Sequence, residues 1–102
     1  MSVPEHKAPA VESYVRLRAL EMHLRAHGFA TQMVAGSLVV RNMTARSLCG
    51  SAGVAGDVIA CRPHEDDEGR YWFFTSWQQP IAESDRITDA LVMIKGYLGA
   101  PA

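Results

Sequence analysis

A chain of 102 residues fits one small domain, and 48% hydrophobic with 21% charged residues is the mix of a folded protein rather than a disordered one. The net charge of −1 gives no bulk attraction to nucleic acid, and no apolar run approaches the ~20 residues of a membrane helix. Two cysteines, Cys49 and Cys61, are too few for a disulfide framework, and the opening MSVPEHKAPA lacks the apolar core of a secretion signal, so a cytoplasmic protein with reduced thiols is expected.

Residues 1–8 contain Pro4 and no period and are expected to form a flexible tail, leaving 9–102 as a single domain. A helix follows over about 9–27. Pro9 suits its first turn, Leu17, Leu20 and Leu24 recur on one stripe with Tyr14, and Gly28 supplies a stop. FATQMV and LVVRN flank Ala35-Gly36-Ser37 and read as a hairpin. The glycine-rich stretch 43–56 reads as a loop, with one helical turn near 45–48. A second hairpin joins DVIACRP, with Ile59 and Cys61 on one face, to RYWFFTSW through the polar turn HEDDEG. Pro80 is expected to end the pairing, with 81–83 adding at most a brief extended piece. The last helix spans about 84–98. Ser84 is its expected N-cap, Ile87, Ala90, Leu91, Ile94 and Leu98 form its apolar stripe, and Gly99 is its stop. The sum is an α+β domain of order α-β-β-β-β-α, a four-stranded antiparallel sheet with two helices packed on one face.

The aromatic strand is the most informative segment. Alternation places Tyr71, Phe73 and Thr75 on one face and Trp72, Phe74 and Ser76 on the other. Two helices cover one face of a sheet, so large rings on the other face need a partner or a ligand. A candidate interaction surface therefore comprises Tyr71, Trp72, Phe73, Phe74 and Trp77. A candidate ligand pocket between sheet and helices comprises Tyr14, Arg62, Trp72, Phe74 and Trp77. The plainer alternative is that the helices or the glycine-rich loop bury both sets of rings.

The segment from Asp57 to Leu98 resembles short actinobacterial proteins of no characterised activity. The resemblance rests on Cys61-Arg62-Pro63, the acidic turn, Trp72 to Trp77, Pro80-Ile81-Ala82 and Asp85-Arg86-Ile87. It covers about two-fifths of the chain. Similar proteins are encoded near helix-turn-helix regulators, which implies an accessory or regulatory role and transfers no site residue.

The remaining candidates for chemistry each have a plain reading. His23 and His27 have chelating spacing, but no third ligand is evident, and surface histidines account for them. Cys61 at an inward position beside Ile59 reads as a small buried hydrophobe rather than a reactive thiol. Gly50, Gly53 and Gly56 precede a strand and match no phosphate-binding pattern. Glu65-Asp66-Asp67-Glu68 lacks the spacing of a calcium loop and reads as a solvated hairpin tip. Arg16, Arg18, Arg25, Arg41 and Arg46 lack interleaved aromatics, so nucleic-acid binding is not expected. Residues 1–50 carry six Lys/Arg against three Glu, and residues 51–102 four against eight Asp/Glu, so the basic half of one copy is suited to the acidic half of a second. The expectation is a small non-enzymatic protein-interaction module, homodimeric and accessory to a regulator or complex, with no metal and no cofactor. A small-molecule-binding domain is the alternative reading.

Overall fold

The computed structural model describes residues 3–46 and 54–99, and side chains over 11–43 and 56–99. The elements are α1 (Val3–Ala26), β1 (Ala30–Val34), β2 (Ser37–Arg46), β3 (Val54–His64), a 3-10 turn (Glu65–Asp67), β4 (Arg70–Phe74), β5 (Pro80–Glu83) and α2 (Ile87–Leu98). The five strands form one antiparallel sheet in chain order.

Leu17, Leu20 and Leu24 of α1 lock against Leu38, Val40, Ile59, Cys61 and Phe73, the inward side chains of three successive strands. Ala90, Leu91, Ile94 and Leu98 of α2 close the same core. Helix α1 also carries a second apolar line, Val11, Val15 and Met22, which faces solvent on the side away from the core. The helix ends as its sequence dictates. Gly28 adopts φ +93°, and the N–H groups of Gly28 and Phe29 donate to the carbonyls of Arg25 and Leu24, which turns Phe29 into the core. The two-residue turn at Ala35 and Gly36, both with positive φ, then joins β1 to β2.

Polar groups clamp the layers together where the apolar core thins. Glu21 is buried and accepts hydrogen bonds from Arg18 and from Thr31 Oγ1 (2.9 Å), tying α1 to β1. Arg16 reaches Glu12, Ser84 and Asp85 and binds α1 to the segment before α2. The Asn42 amide donates to the carbonyls of Leu98 (3.0 Å) and Gly99 (2.8 Å), satisfying the open end of α2. Asp57 gathers the Val58 amide, the Tyr97 hydroxyl (2.9 Å) and the Ser76 amide, so β3, α2 and the β4–β5 turn meet on one carboxylate.

The sheet has five strands where four were expected. Pro80 does not end the pairing. It opens edge strand β5, where its missing N–H needs no partner, and a bulge opposite Phe73 and Phe74 lets both Ile81 and Ala82 turn inward. Other boundaries shift as well. Helix α1 starts at Val3, so residues 3–8 are helical rather than a tail. Strand β2 continues through Arg46 and β3 begins at Val54, which shortens the expected loop and makes 45–46 strand rather than helical turn. Gly56 lies within β3, and a Cβ there would sit 2.9 Å from the Val40 carbonyl, so a close strand approach accounts for it. The expected roles of Cys49, Gly50 and Gly53 lie outside the described residues. Ser84 does not cap α2. Arg86 holds the N-cap position, and the Ser84 hydroxyl faces Arg16 instead.

Candidate interaction site on the open sheet face

Strand β3 is the spine of the sheet. Its first half pairs with β2 and its second half with β4. Inward residues Ile59 and Cys61 belong to the core, so the alternate residues Gly56, Val58, Ala60, Arg62 and His64 point to the face that no helix covers. The register sets them beside outward neighbours: Gly56 beside Arg41, Val58 beside Val39, Ala60 beside Phe74, Arg62 beside Trp72 and His64 beside Arg70.

Two materials make up this open face. Toward β2 it is plainly aliphatic, with Val39 half-buried and Val58 41% exposed. Toward β4 the rings are screened by planar polar groups. The Arg62 guanidinium lies 3.7 Å from the centroid of the Phe74 ring, and His64 meets Trp72 and Phe74 edge-on at 5.0 and 5.3 Å. Trp72 Nε1 donates to Asp67 Oδ2 at 2.8 Å, which pins the indole to the acidic turn. Arg62 also donates to Gln78 Oε1. Gln78 is a non-glycine residue at φ +70°, held by the turn in which the Trp77 and Gln79 amides both donate to Thr75 Oγ1.

The structure splits the expected interaction surface. Phe73 is 0% exposed and belongs to the core, because its register with Cys61 turns it toward the helices. Tyr71 shares that side and packs against the edge of the core, with Arg16 5.2 Å from its ring. Phe74 is on the open face as alternation required, yet Arg62 and His64 leave it 2% exposed. Trp72 is half-buried, and Trp77 is 70% exposed at the β4–β5 turn, 6.0 Å from the Tyr97 ring.

Among the described residues, those expected to line a pocket between sheet and helices are not brought together there. Leucines and Phe73 fill that space, Tyr14 is exposed on α1, and Arg62, Trp72 and Phe74 lie on the opposite face. Arg62 and Phe74 instead share an open cavity of about 440 Å³ with His64, Gln78 and the acidic turn. Trp72 borders a separate groove of about 410 Å³ between β5 and α2. Sequence reasoning passed over Val58, Ala60 and His64, although continuing the alternation from Ile59 and Cys61 places all three on the open face.

The other candidates have structural partners. His23 Nδ1 donates to the Ala19 carbonyl and His27 Nδ1 accepts from Lys95. No group of three His, Cys, Asp or Glu side chains is placed to hold a metal among the described residues. Arg16, Arg18 and Arg25 are engaged by acidic groups. Cys61 is a free, buried thiol, and burial pushes its pKa up to about 12, against the pull of Arg16. At neutral pH it is a thiol, not a nucleophilic thiolate. No described helix is long and apolar enough to cross a membrane. Comparison with protein-family models, with curated proteins and with solved structures finds no match.

Proposed function

We propose that the chain is a small non-enzymatic protein-interaction module that pairs with a second copy through its open sheet face. One observation carries this reading: Arg41, beside Gly56, and the acidic turn after His64 stand at opposite ends of the open face along β3. From position 56 to position 64 the strand covers roughly 26 Å at about 3.3 Å per residue. A two-fold axis near the midpoint, Ala60, sets the Arg41 end of each copy over the acidic turn of its partner. The small side chain at the centre permits close approach, and Val39, Val58 and Trp72 become covered. The resemblance of the Asp57–Leu98 segment extends the proposal to a cytoplasmic accessory of a regulator or complex.

The test is solution mass by light scattering for the wild type and two variants. Val58→Glu buries a charge in the proposed interface and is expected to give the 11.2 kDa monomer. Val15→Glu alters the outer line of α1 and is expected to leave the mass at twice that value. A monomeric wild type, or dissociation by Val15→Glu and not by Val58→Glu, contradicts the reading.

A further inference from the structure

The cavity of about 440 Å³ at the β3–β4 hairpin holds opposite charges on its walls that do not pair with one another. Arg62 is one of the residues that line it. Its guanidinium is laid flat on Phe74 and steadied by Gln78, yet it forms no ion pair among the described residues. Glu65 and Asp66 line the same cavity and likewise have no cationic partner among the described residues, whereas the neighbouring Asp67 is taken by Trp72 and Arg70. Pro63 and Pro80 supply exposed apolar lining.

Guanidinium offers five N–H donors in a planar fork, and stacking on a ring fixes the plane while leaving the fork's edge available to a carboxylate. One Gln78 oxygen does not exhaust those donors. Two carboxylates lining the same cavity suit an ammonium group. The left-handed backbone at Gln78, in a residue with a Cβ, is held by the Thr75 turn, which places the Gln78 side chain within reach of Arg62. From this we infer a binding site for a small zwitterion, an α-amino acid with an apolar side chain. Its carboxylate meets Arg62, its ammonium meets Glu65 and Asp66, and its side chain lies against the exposed Pro63 and Pro80. All the groups of the site belong to one chain, but its acidic turn is also the one that the pairing proposed above sets against Arg41 of a second copy, so ligand and partner compete there and the titration is made on the Val58→Glu variant, where failure of the pairing leaves the outcome unchanged.

The experiment is a nuclear magnetic resonance titration of the full chain, carrying Val58→Glu, with L-leucine, N-acetyl-L-leucine and L-leucinamide. It follows the backbone amides of Glu65 and Asp66 and the Gln78 side-chain amide. L-leucine is expected to shift these signals saturably, at concentrations at least about tenfold below those needed with either blocked analogue. Arg62→Gln and the double substitution Glu65→Gln, Asp66→Asn are each expected to abolish the response to L-leucine while leaving core signals such as the Ile59 amide in place. The inference is overturned by absence of a saturable shift with L-leucine, by equal affinity for a blocked analogue, or by a folded Arg62→Gln variant that still responds.

Discussion

Phe73 and Trp72 are neighbours in the chain, yet they sit on opposite faces of the sheet and in different environments. Phe73 points inward with Cys61 and Ala82 and is enclosed by leucines from α1 and aliphatic residues from α2. Trp72 points outward, with Arg62 opposite and His64 against its ring, and is closed only in part by Asp67. The covered face is sealed by dispersion and loss of apolar surface to water, which no encounter in solution reverses without unfolding. The open face is screened by a guanidinium, an imidazole and short aliphatic chains. Contacts of this kind can be exchanged for those of a partner without opening the core. Bulky rings in a strand are therefore not informative on their own; what covers each ring decides whether it holds the fold or meets another molecule.

Substitutions on the covered face should give the largest effects. Phe73→Ala is expected to lower stability by about 3–5 kcal/mol, measured by urea unfolding. A loss below about 1 kcal/mol would erase the distinction between the faces. Next is the polar clamp that ties the sheet to the end of α2: Asn42→Ala leaves two helix-terminal carbonyls without that amide and should cost about 1–3 kcal/mol in the same assay.

Alkaline pH sharpens the same contrast through Cys61. Burial raises its thiol from 9.0 to about 12 in the folded chain. Its contribution to stability is therefore complete below about pH 9 and is lost as pH rises toward about 12, because the unfolded chain releases its proton first. Tyr97 acts in the same direction, raised by burial and by its hydrogen bond to Asp57. Urea midpoints should fall across that window, and Cys61→Ala should flatten the fall without abolishing it. A pH-independent midpoint would place the thiol in water. The smallest stability effect is expected on the open face. Val58→Glu should change the unfolding free energy by about 0.5 kcal/mol or less in the monomer while removing self-association.

Much of the covered face was legible in the sequence. The spacing of Leu17, Leu20 and Leu24, the stop at Gly28, and the alternation around Ile59 and Cys61 each express one local period, and the core is built on those residues. Strand β5 was not legible. Its pairing depends on an edge position that excuses Pro80 and on a bulge that only the facing strand reveals. The early start of α1 and the extension of β2 past Asn42 were missed because neither stretch carries a clear apolar period. For the candidate site, alternation separated Trp72 and Phe74 from Tyr71 and Phe73 but did not show which rings stay accessible. Phe74 is hidden by Arg62 and His64, and Phe73 was assigned to the surface despite its inward parity. The Asp57 hub joins Tyr97 and Ser76 from distant parts of the chain, and no local pattern announces such a contact.

Quenching of Trp72 fluorescence by acrylamide in a Trp77→Phe variant, followed as protein concentration rises, tests most directly whether a second copy covers the open face. The quenching constant is expected to fall as the dimer forms, and to stay high at every concentration when Val58→Glu is added. A constant that does not change with concentration, in a protein shown by its mass to be dimeric, would mean that the copies meet elsewhere and that this face stays in water.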